Sequence, residues 1–221
     1  MLLDLFCGAG GAAMGYARAG FDVIGVDVKP QPRYPFPFEQ GDALEVLAEI
    51  GRDFDAVHAS PPCQAYSIAA RYTGKTYPDL LGATRSALHA NGKHWVIENV
   101  PGAPMRADFR ICGCLVGLPR LRRVRWFETS WHHFTLAPEC EHTQPAVTVC
   151  GHGTPSWVRQ VHGRNMTVAD WRDAMGIDWM NRGELAQAIP PAYTEHVGRS
   201  LLAQLDLDLL GSKRFRPWAV A

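Results

Sequence analysis

The 221-residue sequence predicts a doubly wound, Rossmann-like α/β fold. Short apolar runs alternate with helix-like segments through the first half. A glycine turn separates the first run from the first helix, and an acidic residue closes the second run. Each element follows from its residues. Leu2 to Phe6 (LLDLF) reads as a buried parallel strand, and the helix AAMGYARAG behind the glycine turn closes at Gly20. Asp22 to Val28, Asp55 to Ser60 and His94 to Val100 read as the second, third and fourth strands. The stretch KPQPRYPFPFEQGD has too many prolines for a helix or a central strand and predicts a loop leading to Asp42.

The centre differs in character. Arg106, Arg110, Arg120, Arg122, Arg123 and Arg125 form a local basic stretch with no acidic residue between Asp108 and Arg125. The run from Ser130 to Asn165 is rich in His, Trp, Pro and Gly and predicts irregular loops and short strands. Thr167 is placed as an N-cap with Asp170 in a capping-box position. A last helix is predicted after Pro190–Pro191, running to Leu210, with a basic, mobile tail over 211–221.

Composition bounds the function. With 47% hydrophobic residues the chain can bury one sizeable core, and a formal net charge of +0 points to no partner by itself. No apolar run is long enough to span a membrane and the N-terminus has no basic n-region, which predicts a cytoplasmic protein with no membrane partner. Six irregularly spaced cysteines fit a reducing compartment better than a disulfide framework.

Gly8, Gly10 and Gly11 lie between a strand and a helix, where backbone approaches a ligand closely and helix N–H groups favour negative charge. Asp27, about 20 residues on at the end of the second strand, sits where a ribose-binding carboxylate belongs. Asp42 is placed to reach an adenine, and Phe6 either stacks on that adenine or is a plain core aromatic. The glycine spacing departs from G-x-G-x-x-G, which disfavours a nicotinamide cofactor. Cys63 follows the third strand behind Pro61 and Pro62, which forbid an immediate helix and present it at the ligand-binding edge of the sheet. A lone cysteine is ordinarily a small buried hydrophobe; the two prolines and the downstream Glu98-Asn99-Val100 argue for a nucleophile instead.

DLFCGAGG, PPCQAYS and ENV, in this order, resemble the nucleotide-binding, nucleophile and acid motifs of the DNA (cytosine-5) methyltransferase family. LRRVRWFE resembles its arginine motif, MTVADWRDAMGIDWM the helix near its target-recognition region, and QAIPPAYTEHVGRSLL its C-terminal motif. The similarity runs from Leu3 to about Leu205. It implies a sheet that binds S-adenosylmethionine, with a very small, irregular target-recognition insertion. Residues 1–128 would be the catalytic and cofactor-binding part, 129–165 the reduced target-recognition region, and 166–210 a return to the catalytic part, with 211–221 as the tail.

The resemblance implies that Cys63 adds to cytosine C6 while Glu98 hydrogen-bonds N3, with Arg123 and Arg125 at the O2 edge. It extends the cofactor set to Cys7, Val28, Pro62 and Gln187, and the substrate set to Gln64, Ser67, Arg71, Asn99 and Arg122, with Asn99 also holding the strand-end loop. The implied partner is double-stranded DNA carrying a short recognition sequence, with the target base flipped out; a further protein supplying specificity is one option. The compact size fits a phage-encoded or bacterial-defence (restriction-modification) enzyme in the host cytoplasm. Three departures stand out: Leu121 replaces the usual Gln of the arginine motif, Gln187 replaces an Asn, and the target-recognition stretch is short. His132, His133, Arg159, His162 and Arg164 there are either DNA contacts or plain solvated loop residues. No metal is expected to be required. Cys112, Cys114, Cys140 and His142 form a weak zinc set, because CGC and CEH are one-residue spacings. Competing functions are a cytosine-5 methyltransferase acting on tRNA, a non-catalytic DNA-binding paralogue and a small-molecule methyltransferase.

Overall fold

The computed structural model describes residues 1–66, 77–131, 139–149 and 154–214. Its centre is a seven-stranded sheet. The strands are β1 (Leu2–Leu5), β2 (Val23–Asp27), β3 (Phe38–Gln40), β4 (Ala56–Ala59), β5 (His94–Asn99), β6 (Phe109–Ile111) and β7 (Arg125–Thr129), in the order β3-β2-β1-β4-β5-β7-β6. The first five are parallel; β7 runs antiparallel to β5, and β6 antiparallel to β7. The helices are α1 (Gly11–Ala19), α2 (Ala43–Ile50), α3 (Leu81–Asn91), α4 (Ser156–His162), α5 (Val168–Met175), α6 (Arg182–Gln187) and α7 (Pro191–Arg214). The predicted doubly wound α/β class is what the chain adopts.

Every residue of β1 and β4 is buried, as expected of parallel strands covered on both faces. The core accordingly divides in two. Leu2, Ala56 and Val96 join Tyr16, Tyr193 and Leu201 on the α1/α7 side, while Leu3, Leu5, Val57 and Ile97 join Leu47, Leu81 and Leu88 on the α2/α3 side. Side chains alternate along a strand. Asp4, His58 and Glu98 therefore share the α1/α7 face with Leu2, Ala56 and Val96.

α1 and α7 pack closely enough to require glycine. A Cβ on Gly15 would collide with Thr194 Oγ1 and the Pro191 carbonyl. We expect Gly15→Ala to destabilise the protein by about 1–3 kcal/mol, against a helix-propensity gain of about 1 kcal/mol. Denaturant unfolding checks this; an unchanged or raised midpoint refutes the close approach.

Three predicted elements are corrected. The proline-rich segment read as loop contains β3, which pairs with β2 only at the sheet edge, with Gly25 N–H donating to the Pro37 carbonyl at 2.9 Å. A proline is tolerated there because an edge strand pairs on one side alone. The irregular stretch contains α4, capped by Gly163 in the left-handed region (φ 68°); Val158 is its one buried residue, so there is no apolar periodicity to read. The last helix continues past Leu210 to Arg214, taking in the start of the expected mobile tail; 215–221 lie outside the described residues. The Thr167 capping box forms as predicted. Among the described residues no helix is long and apolar enough to cross a membrane.

Candidate active site

β4 and β5 are neighbours in register, so the segments leaving their C-terminal ends lie side by side. Ser60 N–H donates to the Leu5 carbonyl at 3.2 Å, carrying the chain one residue beyond β4 before Pro61 and Pro62. Asn99 Nδ2 donates to the Pro61 carbonyl at 3.1 Å and its Oδ1 accepts from Val100 N–H at 2.9 Å. Asn99 is fully buried. Its amide thus ties the cysteine loop to the end of β5, the strand-end role expected of it. Cys63 is half-buried, and a 3-10 turn over Gln64–Tyr66 follows it.

Glu98 is 5% exposed, and burial pushes its carboxyl above the usual value of 4.5. Arg125, Arg123 and a hydrogen bond from Ser60 oppose that rise. Arg125 Nε lies 2.9 Å from Glu98 Oε1, with the two side chains 12% and 7% exposed. Behind Ser60 runs a buried chain of hydrogen bonds: His58 Nε2 is 2.8 Å from Ser60 Oγ, and Tyr16 Oη is 2.9 Å from His58 Nδ1. Burial depresses His58 to about 3, so its ring is neutral. The consistent assignment has Tyr16 donating to Nδ1, Nε2–H donating to Ser60, and Ser60 donating to Glu98. Such a chain polarises in one direction, toward the carboxylate.

The Cys63 thiol is raised by burial and by Glu98, and lowered by Arg125 and Arg123. The two arginines divide their work. Arg125 faces Glu98, whereas Arg123 donates to the carbonyls of Val149 at 2.7 Å and Ala186 at 2.8 Å. Burial lowers Arg123 to about 9. Tyr193 Oη donates to the Arg123 carbonyl at 2.5 Å, fixing the arginine segment to α7. Arg123 is thus committed to backbone, and its reach to Cys63 is electrostatic. Arg122 is exposed.

The glycine turn lies at the neighbouring end of β1. Phe6 (φ 57°), Gly8 (φ 50°) and Gly10 (φ 83°) are all left-handed, and Phe6 is the single non-glycine residue of positive φ among the described residues. Gly8 N–H donates to Asp27 Oδ2 at 3.0 Å and Lys29 N–H to Oδ1 at 2.9 Å, so Asp27 is held at the end of β2. A Cβ on Gly8 would meet nothing within 4 Å, and Val28 beside Asp27 is 66% exposed. An open backbone cradle, a fixed carboxylate and an exposed apolar side chain fit the phosphate-free adenosine of S-adenosylmethionine.

Other residues of that set have structural partners of their own. A Cβ on Gly11 would collide with the Ile189 carbonyl, so a glycine there admits the C-terminal segment. Asp42 Oδ1 caps α2, accepting from Leu44 N–H at 2.8 Å and Glu45 N–H at 3.2 Å. Cys7 is buried, with Sγ 3.5 Å from the Gly8 carbonyl, and burial raises its thiol far above the ordinary range. Pro62 is half-buried, and Gln187 is exposed at the end of α6, next to the Ala188–Ile189 segment on the turn.

Sequence reasoning missed Asp4, Tyr34 and Trp179. Trp179 Nε1 donates to the Ala9 carbonyl at 2.9 Å, and the Tyr34 ring lies over Gly10 and Gly25. Asp4 is fully buried beneath the turn, its carboxyl raised by burial and its Oδ1 without a partner among the described residues. Ser67, Arg71, His132 and His133 lie outside the described residues. Arg159 is exposed, His162 Nε2 is 2.9 Å from the Ala146 carbonyl, and Arg164 is engaged by Asp170 at 2.6 Å. Cys112, Cys114, Cys140 and His142, which the spacing disfavoured as a set, converge: their ligand atoms all lie within 4.8 Å of one another.

Residues 1–106 match the family model described as C-5 cytosine-specific DNA methylase. The chain is 35% identical over 118 residues to Type II methyltransferase M.XorII of Xanthomonas oryzae pv. oryzae, covering 45% of this chain and 28% of that one. It is 32% identical over 124 residues to Type II methyltransferase M.AquIA of a Picosynechococcus species, covering 46% and 48% respectively. These matches therefore span less than half of each relative's length. In fold the chain is similar to a putative DNA modification methyltransferase encoded within a prophage of E. coli, with a TM-score of 0.61 at 15% identity over 93% of this chain and 99% of that one. The Dnmt2 methyltransferase of S. pombe gives 0.56 at 12% identity over 92% and 98%. At such identities these two establish the fold alone.

Proposed function

We propose that this chain is a C-5 cytosine-specific DNA methylase, a reading supported by the family match over residues 1–106, and that it methylates C5 of cytosine in DNA through a covalent bond from Cys63. The observation that carries the reading is the pairing of a half-buried Cys63 with a buried Glu98 at adjacent strand ends, under the field of Arg125 and Arg123.

C5 of cytosine is a poor nucleophile, and addition of a thiolate to C6 makes it enamine-like. In this mechanism Cys63 Sγ forms the bond to C6, and Glu98 delivers a proton to N3 as negative charge develops there. Arg125 orients Glu98, and with Arg123 it favours the thiolate. Ser60, His58 and Tyr16 hold the Glu98 carboxylate once its proton has left. The Gly8 turn, Asp27 and Val28 would hold S-adenosylmethionine, which would supply an electrophilic methyl group for C5. Loss of the C5 proton to solvent water, cleavage of the S–C6 bond and return of the N3 proton to Glu98 then release neutral 5-methylcytosine and restore the Cys63 thiolate and the protonated Glu98. A cytosine stacked in a duplex is out of reach of a half-buried thiol, so the base must be flipped out.

A duplex containing 5-fluorocytosine tests the reading, since fluorine at C5 blocks the final elimination. Wild-type protein with S-adenosylmethionine is expected to form an adduct that survives denaturing electrophoresis, and Cys63→Ala to form none. An adduct with Cys63→Ala, or trapping on a matched RNA in place of DNA, rejects the proposal.

A further inference from the structure

We propose that Cys112, Cys114, Cys140 and His142 bind one zinc ion, which staples the small region after the arginine strand to the sheet. The ligands come from two segments. Cys112 follows β6, and Cys114 lies in the 3-10 turn over Gly113–Val116. Cys140 and His142 come from the described stretch 139–149, beyond β7. The one-residue spacing within each pair speaks against a single-segment knuckle, but not against a site in which each segment supplies one edge of a tetrahedron.

The distances agree with that geometry. Zn–S of about 2.3 Å and Zn–N of about 2.0–2.1 Å at tetrahedral angles place S and N atoms about 3.6 Å apart, and two sulfurs about 3.8 Å apart. Cys112 Sγ is 3.8 Å from His142 Nε2 and Cys114 Sγ is 4.0 Å from it. With all four ligand atoms within 4.8 Å of one another, a central ion reaches each with small adjustments. Soft thiolates with one imidazole, closed in a full set, are the donor chemistry of structural zinc and not of magnesium or calcium. Binding would release the thiol protons; three thiolates and Zn²⁺ leave the centre with one net negative charge.

The fold supplies the reason for such a staple. Stretch 139–149 is short, and its buried apolar residues are Ala146, Val147 and Val149. It touches the arginine segment through backbone: Val147 N–H donates to the Arg120 carbonyl at 2.8 Å, Leu121 and Val147 form an isolated bridge, and Arg123 donates to the Val149 carbonyl at 2.7 Å. A region too small for its own core commonly needs a metal or a disulfide. Zinc here would anchor the partner of Arg123 from outside the candidate active site.

Metal content of the 221-residue protein, purified without chelator, tests this independently of methyl transfer. The expected result is about one zinc per chain, retained in Cys63→Ala and lost in Cys140→Ser and in His142→Ala. Cobalt substitution is expected to give the intense d–d bands of a tetrahedral site together with thiolate charge transfer. Absence of zinc both as purified and after incubation with zinc salt overturns the proposal. So does a disulfide between any two of the three cysteines, or equal zinc in wild type and both ligand variants.

Discussion

Exchanging Glu98 for glutamine is expected to lower kcat/KM for methyl transfer by about 10²–10⁴-fold near neutral pH and to change the shape of its pH dependence. In the proposed mechanism the reactive form of the free enzyme carries a Cys63 thiolate and a protonated Glu98. That form has the same proton count as the thiol–carboxylate form. Activity of the wild type therefore rises with pH through the first ionisation of the pair and falls through the second, with apparent values that belong to the pair. Both groups are raised from their ordinary values of 4.5 and 9.0 by burial. Glutamine leaves only the thiol to titrate, so the falling limb disappears and activity climbs with pH. It also removes a charge that raises the thiol, moving that climb to lower pH than the wild type's falling limb. The deficit of the variant should then shrink toward alkaline pH. A bell-shaped profile in Glu98→Gln, or a loss under tenfold at neutral pH, contradicts the acid role.

How far this site could be read from sequence depends on where each residue sits. Four strands were legible because Leu2–Leu5, Val23–Asp27, Ala56–Ala59 and His94–Asn99 are compact apolar runs ended by glycine, proline or acidic residues. β3 and β6, three residues each, pair only at sheet edges and leave no such run. β7 was hidden inside the arginine motif. Cys63 and Glu98 could be singled out from the Pro-Pro-Cys and Glu-Asn-Val segments, and they come together because β4 and β5 are adjacent parallel strands whose C-terminal ends lie side by side. The hydrogen-bond chain behind Glu98 has no comparable signal. Tyr16 and His58 are 42 residues apart and meet only because α1 crosses the face to which His58 points. The backbone partners of Arg123 have no such signal either: its motif gives its position in sequence, whereas the carbonyls that accept from it belong to segments 26 and 63 residues away.

Replacing Arg125 with methionine, which keeps much of the stem volume, should destabilise the protein by about 3–5 kcal/mol at mildly alkaline pH. The reason is what it leaves behind. The pair is nearly sealed, with side-chain exposures of 12% and 7%, so Glu98 would face ionisation in a low-dielectric site with Ser60 as its main remaining donor. The sign with pH follows from linkage. Glu98 is already raised above 4.5 in the folded protein; its ionisation opposes folding, and stability falls as pH climbs from the unfolded value to the folded one. Arg125 is the largest influence holding that folded value down, and the methionine variant therefore titrates higher still. Below the wild-type folded value both proteins carry a neutral carboxyl and differ only by the lost packing. Above it the wild type has ionised at little further penalty, while the variant goes on losing stability until its own folded value is passed. Denaturant midpoints measured from about pH 5 to about pH 8 should diverge with rising pH. A gap that stays constant, or one that widens toward acid, would mean that Arg125 contributes through packing alone and that Glu98 is not held by its charge.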